Sequence, residues 1–140
     1  MALMWTAEHP PRWDESKSRI LGASPPGVFR YDGMTLGALV PGEWWRVEDE
    51  EGGVLGYGWM DVTWGWAPVL LAVAPEAREK GVGSFVIEQL VQEGARRGLH
   101  YVFNVIPDAH PDPEGLAMWL ESRGFEPAQT DVRTLRRRVR

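Results

Sequence analysis

The run Val73-Ala74-Pro75-Glu76-Ala77-Arg78-Glu79-Lys80-Gly81-Val82-Gly83-Ser84 joins two segments of opposite character. Before it, Pro68 to Val73 is apolar on both faces, as a strand covered from both sides must be. After it, Val82, Phe85, Val86 and Leu90 recur at helical spacing, which predicts a helix from Gly81 to Ala95. The turn between them has the makings of an anion cradle. The first N–H groups of a helix lack internal partners, and the helix dipole favours negative charge at that end. Gly81 and Gly83 leave room for a phosphate to reach the backbone, and Arg78 and Lys80 add two positive charges. The competing reading is a plain strand-to-helix connection whose glycines serve turn geometry alone.

Two common phosphate motifs are excluded. The pattern Gly-x-x-x-x-Gly-Lys-Ser/Thr is missing, so this is not an ATP-binding P-loop. A dinucleotide fingerprint would need a third glycine where Val86 stands, and an acid about 20 residues further on in a ~30-residue βαβ unit.

The rest of the chain narrows the class. Its 140 residues, 44% hydrophobic and 25% charged, suit one soluble domain, so residues 1–140 are read as a single unit. The longest apolar run, Ala67 to Pro75, falls well short of the roughly 20 residues of a membrane-spanning helix. The amino terminus has no basic stretch followed by an apolar one, so a secretory signal is not expected and the cytoplasm is the expected compartment. With no cysteine, disulfides, thiolate metal sites and a cysteine nucleophile are excluded. His9, His100 and His110 do not fall at metal-ligand spacing, so no metal is expected.

Charge is uneven. Residues 123–140 hold six arginines against Glu126 and Asp131, a balance of +4, so within a total of −5 the first 122 residues carry −9. An acidic body argues against nucleic acid as partner and suits a cationic, amine-bearing small molecule. The arginine-rich end alternates with Val132, Leu135 and Val139, as an amphipathic terminal strand does.

Around the cradle, the pattern predicts a mixed sheet. Trp44 to Val47 and Val54 to Val62 flank the acidic turn Glu48–Gly53 as an antiparallel hairpin, with Leu55, Tyr57, Trp59 and Asp61 on one face. His100 to Ile106 reads as a further strand. Asp112 and Pro113 open a second helix that ends at Arg123-Gly124, and Val132 to Val139 closes the chain as a strand. In residues 1–42 the pattern is poor, with a short helix expected from Trp13 to Leu21. Strand, helix, strand, helix, strand after an antiparallel start defines an α+β domain.

Arg78-Glu-Lys-Gly81-Val-Gly83 resembles the acetyl-CoA signature Gln/Arg-x-x-Gly-x-Gly/Ala of the GNAT N-acetyltransferase superfamily, preceded by Leu70 to Pro75 as in that family. Trp119-Leu-Glu-Ser-Arg-Gly124-Phe125 resembles the family's helix ending in Gly-Phe. The likeness runs from about Trp44 to Arg140. It implies a sheet that splays between its fourth and fifth strands, here Pro68–Val73 and His100–Ile106, with the pantetheine arm of acetyl-CoA in the cleft. It further implies that Leu71, Ala72 and Val73 line the arm. The segment Arg78, Glu79, Lys80, Gly81, Val82, Gly83 and Ser84 would hold the pyrophosphate, and Asn104 would either reach the cofactor from the splayed strand or satisfy backbone there. The implied activity is acetyl transfer to the amine of a small molecule or a protein, by direct attack on the thioester. Neither nucleic acid nor membrane is implied as a partner, and a homodimer stays open.

Three departures from the family pattern stand out. The usual tyrosine acid falls at Leu120, an usual asparagine at Pro113, and the usual acidic base near Trp66, Ala67 and Pro68. Asp61 and Glu43 are the candidate substitute bases, and Tyr57 and Tyr101 the candidate acids. His110, in the loop after the fifth strand, is a further candidate base, but it reads more readily as a solvated loop residue. The eight tryptophans either fill the core or, for Trp44, Trp45, Trp59, Trp64 and Trp66, wall the acceptor pocket. The alternatives to an enzyme are a CoA-binding or sensing module with little turnover, and a tryptophan-rich interaction domain.

Overall fold

The computed structural model describes every residue except Met1, Pro26, Arg30, Asp32, Thr130, Val132 and Arg140. Seven strands form one mixed sheet in the order β1-β2-β3-β4-β5-β7-β6. They are β1 (Met4–Ala7), β2 (Glu43–Glu48), β3 (Val54–Met60), β4 (Trp66–Val73), β5 (Tyr101–Val105), β6 (Glu126–Pro127) and β7 (Thr134–Arg138). Three helices accompany them: α1 (Glu15–Gly22), α2 (Val82–Arg96) and α3 (Pro113–Glu121). All neighbours are antiparallel except β4 and β5, the pair joined through α2.

The hairpin β2–β3 forms where expected. Its turn is held by Asp49, whose carboxylate accepts from the N–H groups of Glu51 and Gly53, each at 2.9 Å. The strand ends at Met60, so Asp61 lies just beyond it and is exposed. Helix α1 begins at Glu15 rather than Trp13 because Asp14 caps it, accepting from the Lys17 N–H at 2.8 Å. Strands β1 and β6 have no counterpart in the sequence reading. Both are short edge pieces that gain their ladder only from a neighbour. The last strand is Thr134–Arg138, and Val132, where it was expected to start, lies outside the described residues.

Side chains of α2 (Val86, Ile87, Leu90) meet Val47, Met60, Val69, Val102 and Leu135 in the core, all essentially buried. On the N-terminal side an aromatic group completes it. Trp13, Phe29, Tyr31, Trp44 and Tyr57 contact one another with ring centroids 5.9 to 6.3 Å apart. Into this group the wholly buried Lys17 inserts, 4.9 Å from the Tyr57 ring and 5.5 Å from Trp44. Its ammonium donates to Glu8 at 2.6 Å and to the Arg12 carbonyl at 2.7 Å. Burial, then the Asp14 and Glu8 carboxylates, push the Tyr57 phenol well above its usual range.

No helix among the described residues is long and apolar enough to cross a membrane.

Candidate functional site

The parallel ladder between β4 and β5 is short. Trp66, Ala67 and Pro68 pair with Tyr101, Val102 and Phe103, and beyond Pro68 no further rungs form among the described residues. The fork is set by a side chain: Asn104 Nδ2 donates to the Val69 carbonyl at 2.9 Å. Along a strand, both polar groups of a residue point to one side, and successive residues alternate. Pro68 O and Ala74 N bond towards β3, accepting from Asp61 N at 3.2 Å and donating to Leu55 O at 2.8 Å. The Val69 carbonyl faces β5. The backbone groups of Leu71 and Val73 therefore also face the open fork, where no strand takes them up. A buried strand edge with unpaired N–H and C=O groups is a template for an extended, amide-bearing ligand.

At the far end of β4, a single 3-10 turn (Pro75–Ala77) leads to the cradle. Gly81 caps α2 at φ 83°, a left-handed conformation that favours glycine, and no side chain caps the helix. The N–H groups of the first turn are left for a ligand. Glu79 is also left-handed at φ 64°, so two residues of the turn redirect the backbone around the same point. The fork and the cradle form one continuous cleft of about 870 Å³. Leu71, Ala72, Val73, Arg78, Glu79, Gly81, Gly83, Ser84 and Asn104 all line it. Lys80 is exposed beside it, and Val82 turns inward to the core.

The arginine of the motif is engaged elsewhere than expected. Arg78 donates to the Ala23 carbonyl at 2.9 Å, tying the cradle to the end of α1. Close by, Arg19 pairs with Glu76 at 2.7 Å. The residue the sequence reading missed is Arg123, with Trp119. Both line the cleft, and the Arg123 guanidinium stacks 4.0 Å from the Trp119 ring. Its Nε donates to Ser84 Oγ at 3.0 Å, which brings a positive charge to the positive end of α2. Among the described residues its hydrogen-bond acceptors are hydroxyls and a carbonyl, with no carboxylate. A cation so placed favours an anion beside it. The i, i+4 spacing of Trp119 and Arg123 on one helical face was the available signal. We expect Arg123→Met to weaken CoA binding about tenfold and to flatten its salt dependence, measured by isothermal titration at two ionic strengths.

The Gly-Phe pair ends α3 for a clear reason. Gly124 is left-handed at φ 89°, and Phe125, only 2% exposed, returns its N–H to the Leu120 carbonyl at 3.1 Å. This fixes the helix that carries Trp119 and Leu120, and the turn after it that carries Arg123, along the cleft.

Neither candidate base lies in the lining. Glu43, at the start of β2, makes a bidentate pair with Arg97, and the hydrogen bonds that Arg97 donates to Glu43 raise that guanidinium above its ordinary value. Asp61 sits at the exposed end of β3 and donates its N–H to Pro68 O. Tyr57 is buried with its hydroxyl directed at Asp14, 3.3 Å away, and Tyr101 stacks beneath Arg136. Of the tryptophans, Trp44 and Trp45 are core, Trp64 is exposed at a turn, and Trp119 is the one that lines the cleft. At the site of the family's phenol stands Leu120, 1% exposed.

Residues 41–127, more than half of the chain, match the family model "Acetyltransferase (GNAT) domain". The chain belongs to the GNAT acetyltransferase family. Among solved structures it resembles a protein of Desulfovibrio desulfuricans assigned to that family, with TM-score 0.60 and 16% identity over 70% of this chain and 69% of the other. It also resembles the phosphinothricin acetyltransferase of Sinorhizobium meliloti in complex with acetyl-CoA, with TM-score 0.57 and 23% identity over 69% of this chain and 60% of the other. N-acetylglutamate synthase of Neisseria gonorrhoeae, complexed with CoA and L-arginine, gives TM-score 0.69 and 15% identity over 97% of this chain but 33% of that one. No curated protein matches the chain by sequence.

Proposed function

We propose that the chain, acting as a single domain over residues 1–140, is an acetyl-CoA-dependent N-acetyltransferase of the cytoplasm that acts on the amine of a small molecule or a protein. The observation that carries this reading is the continuity of the β4–β5 fork with the uncapped start of α2. One end offers backbone amide partners for a pantetheine arm, and the other offers N–H groups and Arg123 for phosphates. Leu71, Ala72 and Val73 would line the arm. Backbone groups from Arg78 to Ser84 would hold the pyrophosphate, with Lys80 beside it. Asn104 acts by holding the fork open through Val69.

The chemistry follows from that placement. An uncharged amine attacks the thioester carbonyl, and a backbone N–H facing the fork, at Leu71 or Val73, stabilises the oxyanion. Holding the two reactants in line supplies much of the rate, so a strong base inside the cleft is not required. In line with their positions, Glu43→Gln and Asp61→Asn should each leave turnover within about twofold. A sharp fall in turnover with unchanged CoA affinity would restore the base role to the residue concerned.

The deciding test is isothermal titration with acetyl-CoA, followed by a thiol-release assay over a panel of amines. No binding removes the reading. Binding without turnover on any amine favours the second reading, a CoA-binding or sensing module, for which the buried Leu120 in place of a phenol is the specific support.

A further inference from the structure

His110 stands in the loop between β5 and α3, where its polar neighbours in sequence favour a solvated residue. In the structure it is half-buried and lines the cleft together with Asn104, Leu116 and Leu120. Its Nδ1 accepts from the Asp112 N–H at 3.0 Å. In the neutral ring the proton is therefore on Nε2, which makes that atom a donor. The loop that carries the ring is tied on both sides of it. The His110 N–H donates to the Pro107 carbonyl at 3.1 Å, and Asp112 caps α3 by accepting from Gly115 N at 3.0 Å.

Of the other polar side chains along the cleft, Glu79 is a carboxylate, which accepts but cannot donate to a thiolate, and the rest are already engaged. Asn104 donates to Val69, Arg78 to Ala23, Arg123 to Ser84, and Ser24 to the Ile20 carbonyl at 3.4 Å. Among the described residues, His110 Nε2 has no such partner. Around it the charged groups are Arg78, Glu79 and Arg123 on the cleft wall and Asp108 and Asp112 in its own loop. Asp108 is paired with Arg133 at 3.2 Å.

We propose that the Nε2–H of His110 hydrogen-bonds the sulfur of the departing CoA thiolate and so takes the place of the missing phenol. This rests on the acetyl-CoA reading above. As the amine nitrogen forms its bond to the carbonyl carbon, the C–S bond breaks and its electron pair goes to sulfur. The nitrogen gives its proton to water, and the thiolate later takes one from water. His110 keeps its proton throughout and lowers the energy of the thiolate by donation, because a hydrogen bond to a charged acceptor is stronger than one to a neutral one.

The test uses CoA itself and needs no acceptor. CoA isotopically labelled at the methylene next to sulfur is bound to the protein, and its thiol is titrated by NMR. In the unmodified protein the bound thiol is expected to ionise about 1–2 pH units lower than in His110→Asn, the size of a charge-assisted hydrogen bond. Asparagine retains an acceptor for the Asp112 N–H but lacks a donor at the reach of Nε2. His110→Gln, which supplies an amide N–H near that position, should fall between the two. Equal titration in all three proteins with CoA bound overturns this proposal and leaves the acetyl-CoA reading standing. A more than tenfold loss of CoA affinity in His110→Asn also overturns it, by making the residue part of the binding surface. Failure of the unmodified protein to bind CoA overturns both.

Discussion

Glu8→Ala is expected to cost about 3–5 kcal/mol of folding stability, enough to unfold a large part of the population of a marginal domain. Lys17 is wholly buried, and the Glu8 side chain that accepts from it at 2.6 Å is only 6% exposed. Asp14 is the other carboxylate near the ammonium, but at 3.6 Å and with nearly half of its side chain in water it is a poor substitute. Removing Glu8 leaves a desolvated cation against the faces of Trp44 and Tyr57, and cation–π attraction of about 2 kcal/mol does not offset that. Chemical denaturation measures the loss as a lower midpoint at unchanged slope. Lys17→Met combined with Glu8→Gln removes both charges, and should recover most of the lost stability. If the double variant is no better than Glu8→Ala alone, the hydrogen bond to the Arg12 carbonyl, not the ion pair, is the important tie.

Gly83→Val is the second large effect, and it falls on binding. A Cβ at Gly83 would meet Trp119 Cζ2 at 3.4 Å, ordinary van der Waals contact, and no left-handed φ forbids a side chain there. The fold should therefore survive, with a loss of stability below about 1 kcal/mol. The added methyl groups nevertheless occupy the space over the first turn of α2, where a phosphate must meet the backbone. We expect CoA affinity to fall by about 10- to 100-fold in isothermal titration, equivalent to about 1.4–2.8 kcal/mol. Unchanged affinity in a folded variant would remove the cradle as a phosphate site. Gly81 gives a useful contrast. Nothing lies within 4 Å of a Cβ there, but its φ of 83° strains any other residue, so Gly81→Val should lose stability as well as affinity.

The two halves of the site were legible to different degrees. The cradle was readable because each of its requirements is local: an apolar strand, a break at Pro75, two glycines and a helix at once afterwards. Arg123 was not, because its importance lies in reaching Ser84, 39 residues earlier in the chain. The half-burial of His110 was hidden for a related reason. A histidine between prolines and aspartates looks solvated until the loop is seen folded against α3.

The sequence by itself determined the local elements and the family. Periodicity set α2 to within a residue at each end, since an amphipathic helix must place its apolar face every 3.6 residues. The double-sided apolar run set β4 as a central strand. Only the tertiary structure decided which charges are paired and which face the cleft. Glu43 lies in a segment rich in tryptophan, as a base in an aromatic pocket would, yet the packing of β2 against the end of α2 brings it to Arg97. Lys17 looks like a solvated residue of a short amphipathic helix, and it is the most buried charge described. Strands β1 and β6 exist only through their neighbours. Local propensity depends on a few adjacent residues, whereas desolvation and ion pairing depend on whatever the fold brings within about 4 Å, and no sequence window contains that information.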